Sequence, residues 1–254
     1  MNKKNLYEEM RFFSEVNFRE IYKRFIYIHC REAIEEMLPG ELDDTITGII
    51  AYCYIDKDQG ISFRPVLLAT LAGLSIKVFT FPHQEDTIYI FRLREGVGTM
   101  NEYHNENRHM LLYTLDPVKN SFIDMSVLNF QGEDYTAFKE MIDTSYDAGS
   151  EVEKLRSKKY EFLDPFRNEL FPDDVRVLLY SKENGVEQVW VRLILTHGKE
   201  FFGLLLNEPY QDYGCHKGTI IGFVLTKSGE KSVLIFNGRT AVIKKDKFIL
   251  FLIH

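Results

Sequence analysis

Histidines and carboxylates gather in Glu102-Tyr-His104-Asn-Glu106-Asn-Arg-His109, the donor types of a divalent-metal site. The two imidazoles stand five residues apart and lack the His-x-x-x-His spacing that sets a pair on one helical face. The expectation for His104 and His109 is therefore a polar loop with no metal and no cofactor. Cys215-His216 places a nucleophile beside a base, yet adjacent residues of an extended chain point to opposite faces. Gly96-Val-Gly-Thr99 follows a strand-like run as a phosphate loop would, but without the Lys-Ser or Lys-Thr, or the third glycine, that nucleotide binding needs. His29 falls at an apolar position and reads as a core or edge histidine. Asp43-Asp44, Asp56, Asp58 and Asp173-Asp174 lie at turns or element ends, where carboxylates accept backbone hydrogen bonds. No residue is assigned a catalytic role, although sequence spacing leaves paired-carboxylate hydrolysis open.

The stretch from Gly203 to Thr219 differs in kind. It is a polar and aromatic loop between two apolar β-type runs, and Asn207, Glu208, Tyr210, Gln211, Asp212, Tyr213, His216 and Lys217 put eight hydrogen-bonding or charged side chains in it. A hairpin needs only two to five residues for its turn. Tyrosines offer large area at low entropic cost, with one polar tip each, so Tyr210 and Tyr213 suit the centre of a protein-binding surface and Glu208, Asp212 and Lys217 its rim. The plainer reading has Asn207, Gln211 and Asp212 capping loop backbone while the tyrosines pack over a barrel mouth.

The elements that hold these residues fall into two sets. Asn17 and Glu20 have capping-box spacing, Val16 and Ile21 that of a hydrophobic staple, and Phe18, Ile21, Tyr22, Phe25, Ile28, His29 and Ala33 recur at helical intervals. A helix ending at Pro39-Gly40 is expected. Thr45 to Ile55 reads as a central strand covered on both faces, and Asp56 to Gly60 as a turn. Pro65 to Leu74 reads as a short buried helix, and Ser75–Phe81 with Thr87–Leu93 as a hairpin across 82–86. Arg94 to Arg108 has no periodicity. Met110–Leu115 and Ser121–Leu128 follow as strands, then an amphipathic helix over 133–146 and a polar one over 150–162. The front is thus an α+β domain, 1–163, on an antiparallel sheet of about five strands.

Asp164 to Asp174 breaks both periodicities and reads as a linker. Beyond it, Val175–Tyr180, Glu187–Thr196, Phe201–Leu206, Thr219–Thr226, Ser232–Phe236 and Lys247–Ile253 are short β-type runs, separated by Asn184-Gly185, His197-Gly198, Ser228-Gly229 and Asn237-Gly238. Six strands without a helix signal predict a small SH3-like antiparallel barrel over 175–254.

In that part Phe202-Gly203-Leu-Leu-Leu-Asn207-Glu208-Pro209, followed by Lys217-Gly218-Thr219-Ile-Ile-Gly-Phe223, resembles the YegJ-like uncharacterised bacterial domains. Those pair a strand ending in Gly…Asn-x-Pro with a Lys-x-Gly-Asp-x-Val-like segment, and this chain carries Thr219 where Asp is common. The resemblance covers the back of the chain and none of the front. It implies an intracellular bacterial protein without established enzyme activity, with relatives among accessory and toxin-immunity genes.

Composition bounds the rest. The chain has 254 residues, 45% apolar and 14% aromatic, enough to bury one large or two modest cores. From Asp173 onward eleven Lys plus Arg face nine Asp plus Glu, which leaves twenty against twenty-nine before it, so the front carries −9 and the back +2. That distribution argues against a nucleic-acid surface and favours a basic protein partner. Cys30, Cys53 and Cys215 have no CxxC spacing and suit a reducing cytoplasm. The charged start predicts no export signal, and no apolar run approaches the roughly 18 residues of a membrane span. The leading reading is a non-catalytic cytoplasmic protein-binding module of immunity-protein type. The alternative is a hydrolase or small-molecule-binding enzyme with a site between the domains that draws on His104, His109 and the barrel loop.

Overall fold

The computed structural model describes residues 5–40, 42–82, 86–96, 98–105, 108–128, 130, 133–244 and 247–252. Two compact units, Met1–Asp147 and Ala148–His254, divide the chain. Both are built on sheets with a few short helices, an α+β fold.

Among the described residues, nine strands of the first unit form one sheet: β1 (Arg11–Phe12), β2 (Phe25–His29), β3 (Gly48–Asp56), β4 (Gly60–Ala72), β5 (Ser75–Thr80), β6 (Thr87–Leu93), β7 (Met100–Asn105), β8 (Arg108–Leu115) and β9 (Ser121–Asp124). Their order is β1-β9-β2-β3-β4-β6-β8-β7, with β5 on β4. The pairings are antiparallel except for β6 with β8, which run parallel because β7 lies outside β8 as its hairpin partner. The expected five-strand antiparallel sheet is therefore larger and mixed. β3 is buried along both alternating faces, as its apolar pattern predicts.

Four local expectations give way to tertiary structure. Asn17 and Glu20 do form a reciprocal capping box, but it caps a single 3-10 turn, Phe18–Glu20. Lys23 then takes a positive φ, and the run Phe-Ile-Tyr-Ile becomes β2 between β9 and β3. Its β-branched and aromatic side chains fit a sheet covered on both sides better than a helix surface. The helix ending near Pro39-Gly40 is α1 (Arg31–Met37) alone. Pro65 to Leu74 belongs mostly to β4, not to a helix. Ala51 pairs with Pro65 while Ile50 pairs with Leu67, so Val66 is an extra residue and Pro65, which has no N–H, sits at a bulge. β5 folds back on β4 across Gly73-Leu74, and the expected 75–81/87–93 hairpin is absent from the described pairings. Finally, the aperiodic segment before Arg108 contains β7. α2 (Thr136–Ser145) lies where amphipathic spacing put it, with Ile142 and Phe138 packed on the core around Tyr52 and Tyr54.

In the second unit α3 (Ser150–Arg156) and 3-10 turns over Lys158–Phe166 precede β10 (Asp174–Ser181), β11 (Gly185–His197), β12 (Glu200–Leu205), β13 (Ile220–Ser228), β14 (Lys231–Lys244) and β15 (Lys247–Leu252). All six expected strands are present, and segment 164–174 falls inside this unit. Leu155, Tyr160 and Leu163 explain the placement: they bury in the same core as Val177, Val191, Phe201 and Phe223, so 150–163 packs with the back strands. Each such fully buried aliphatic or phenylalanine side chain contributes about 1.5–3 kcal/mol. Successive strands pair antiparallel, and Leu178 of β10 meets Ile235 of β14 in parallel, closing a five-strand ring with β15 attached to β14. Asn237-Gly238 is no hairpin turn. It bulges out of β14 between Phe236, which pairs with Phe223, and Thr240, which pairs with Ile221; Gly238 takes φ +74° there.

Candidate functional site

The loop from Leu206 to Thr219 joins β12 to β13. Its two ends continue the sheet. Leu206 N–H donates to the Trp190 carbonyl at 2.9 Å, and the Asn207 side-chain oxygen accepts the Trp190 N–H at 2.7 Å, standing in for the backbone carbonyl that a further ladder step would have supplied. Across the loop, Gly218 N–H donates to Leu205 and Leu205 N–H to Thr219, at 2.8 and 2.9 Å.

Two carboxylates then hold the interior. Glu208 receives the His216 Nδ1 at 2.7 Å and the Lys217 backbone N–H at 2.8 Å. The imidazole hydrogen bond holds the Glu208 carboxyl below its ordinary range, and the same bond raises the His216 imidazole above its own. Glu187 of β11 takes the Tyr210 N–H on both oxygens, at 2.9 and 3.0 Å, and the Gln211 N–H at 3.4 Å. Asn184, in the β10–β11 turn, donates its side-chain N–H to the Asp212 carbonyl at 2.6 Å and accepts the Tyr213 hydroxyl on its own carbonyl at 3.3 Å. Asp212 closes a local turn onto Gly214 N–H at 2.8 Å. Tyr213 and Cys215 bury in the ring's core.

The eight expected residues therefore divide. Asn207, Glu208, Asp212 and Tyr213 build the loop, and His216 helps to clamp it; the plainer reading also had Gln211 capping and Tyr210 packed, and these two are exposed instead. Tyr210 is 93% exposed, and Gln211 and Lys217 are exposed beside it. The backbone of Tyr210 is fixed at both Glu187 oxygens while its side chain stands almost fully exposed. Glu187 and Asn184 were missed in the sequence: a carboxylate twenty-three residues before the N–H it accepts leaves no spacing signal, and Asn184 carried only a turn signal.

The remaining candidates are placed as follows. Cys215 is buried, with its thiol pushed up to about 11, while His216 faces solvent, so the two point apart as adjacency predicts. Gly98 exists for close approach, since a Cβ there would meet the Tyr113 hydroxyl at 2.6 Å; Val97 lies outside the described residues. His29 ends β2, with Nδ1 3.0 Å from the Tyr27 hydroxyl. Asp43 and Asp56 accept local backbone N–H groups as turn carboxylates do. Asp173 and Asp174 do not: both are buried, Asp173 against Arg156 and Asp174 against Arg192. Burial raises the Asp174 carboxyl against the opposing pull of Arg192. In the first unit, a polar cleft is lined by Arg11, Glu20, Arg24 and Asp124, which neutralise one another in pairs. His104 and His109 lie opposite each other on the β7–β8 hairpin, with Glu102 on the same face. Comparison of the chain with protein-family models, with curated proteins and with solved structures finds no match.

Proposed function

We propose that the second unit is a small SH3-like barrel serving as a protein-binding module, with Tyr210 as its anchor on a loop ordered in advance. The single observation that carries this reading is the contrast at Tyr210: a backbone locked by Glu187 and a side chain 93% exposed. A loop backbone already ordered loses little further entropy on binding, and an exposed tyrosine is the side-chain type that dominates interface energetics. Exposed Gln211 and Lys217 supply a polar rim around it.

The chain is read as non-catalytic in this role, of the immunity-protein kind that the YegJ-like resemblance implies, acting in a reducing cytoplasm. Three free, buried cysteines are in keeping with that compartment, and no helix among the described residues is long and apolar enough to cross a membrane. The −9 charge of the front favours a basic partner through steering.

The test is affinity capture from lysate of the source organism with the full-length protein and its Tyr210→Ala variant. The expected result is one stoichiometric partner whose affinity falls about 30-fold in the variant, the loss of roughly 2 kcal/mol typical of a hot spot. Identical recovery with both baits would remove Tyr210 from the function.

A further inference from the structure

We propose that Glu102, His104 and His109 form a binding site for a divalent transition-metal cation of the zinc class. The placement follows from the hairpin. His104 of β7 pairs directly with His109 of β8, and Glu102 lies two residues along β7, so the strand's alternation puts all three on one face. Five residues apart is the wrong spacing for a helix and the right one for direct partners across a short turn.

The distances are those of a chelating set. One ligand atom from each residue lies within 4.8 Å of the other two. His104 Nε2 and His109 Nε2 approach the same Glu102 oxygen, at 3.0 and 2.6 Å, and the rings stack 4.4 Å apart, 4° from parallel. Donors held about 2.0–2.2 Å from a tetrahedral ion stand roughly 3.3 Å apart, so side-chain rotation alone suffices to admit one.

Two further features point to a ligand rather than to an ion pair. His109 Nε2 is buried, and its close approach to Glu102 has no hydrogen-bond alignment, which leaves a ring nitrogen facing a carboxylate without a proper bond between them. Its other nitrogen, Nδ1, lies 3.3 Å from Thr87 Oγ1 on β6. A proton donated from Nδ1 to that hydroxyl leaves the Nε2 lone pair directed at the site, the outer-shell arrangement that orients metal-binding histidines. Two imidazoles and one carboxylate suit zinc; calcium and magnesium prefer all-oxygen sets. With three protein ligands, the fourth position stays open to water or an anion. Glu106 lies outside the described residues.

The experiment is calorimetric titration of the untagged, chelator-stripped full-length protein with zinc chloride, paralleled by the visible absorption of added cobalt(II). One equivalent is expected, with an intense tetrahedral cobalt spectrum. His104→Ala and His109→Ala should each weaken binding by at least about 100-fold, and Thr87→Val by about 10-fold as an outer-shell loss. His216→Ala, at the separate Glu208 pair, should leave it unchanged. His104 is two-thirds exposed, so its variant keeps the fold. Absence of stoichiometric uptake by the wild type, or uptake undiminished in His104→Ala, would overturn the proposal and leave Glu102 as the acceptor of a plain ion pair.

Discussion

Replacing Asp173 by alanine removes two carboxylate acceptors from the buried Arg156 guanidinium. Arg156 Nε donates to one Asp173 oxygen at 3.0 Å and Nη2 to the other at 2.6 Å, and the side chains are only 3% and 10% exposed. Two charge-assisted hydrogen bonds at about 1.5–3 kcal/mol each give a gross loss of about 3–6 kcal/mol, and severed buried pairs typically lose about 3–5 kcal/mol. Glu153 stays 2.7 Å from Arg156 Nη1 and keeps part of the charge compensated, which sets the expected loss near the lower end, about 3 kcal/mol. The assay is selective, because the chain's one tryptophan, Trp190, stands in β11 of the same unit. Followed by its fluorescence in urea, with a slope of about 1.5 kcal/mol/M, the midpoint should fall by about 2 M. Arg156→Met with Asp173→Leu, which exchanges the pair for apolar groups, should return to within about 1 kcal/mol of wild type. A single-variant midpoint within about 0.3 M of wild type, the range of an ordinary surface change, would refute the view that this pair fastens α3 to the strands.

Gly203→Ala should destabilise the second unit by about 1–3 kcal/mol in the same urea assay, since the new Cβ would stand 2.4 Å from the Arg192 carbonyl and 2.5 Å from Val191 Cγ1; an unchanged midpoint would show that β11 and β12 are not so closely apposed. The Glu208–His216 clamp has a defined pH window. His216, raised in the folded state, contributes fully below its ordinary value of 6.5 and loses that contribution as pH rises through the folded value; Glu208, lowered, contributes above its ordinary 4.5 and loses it as pH falls. The clamp is therefore complete from 4.5 to 6.5, and an NMR titration of His216 should show its elevated pKa returning to the ordinary value in Glu208→Gln.

The back of the chain was more legible than the front, for a physical reason. Its strands are separated by turn dipeptides whose chemistry is local, and Asn184-Gly185, His197-Gly198 and Ser228-Gly229 all mark reversals in the fold. In the front, the deciding interactions are distant. Phe25 to Ile28 has helical spacing from Phe18 onward, yet lies between strands drawn from residues 49–52 and 122–124. Pro65 suggested a helix start because its other permitted place, a bulge, depends on the register of β3. The candidate loop was visible as polar and aromatic, but which side chains it consumes was not, because Glu187 and Asn184 act from the neighbouring strand β11 and the turn before it, more than twenty residues away in sequence. The histidine pair has the wrong spacing for one helix face and the right one for facing positions on paired strands.

Inside the loop, shape and exposed surface fall to different residues. Gly203 admits β12 against β11, Asn207 extends the ladder to Trp190, Pro209 is buried, and Gly218 N–H returns to Leu205 with φ +87°. These motif positions make the loop's shape. Tyr210 and Gln211, which lie between the two motif segments, project from it. A chain that kept the motif and exchanged those two residues would keep the same platform and present a different surface. On the proposed binding role, exchange of residues 210 and 211 should change which partner is held, while the loop's hydrogen-bonded frame stays as it is.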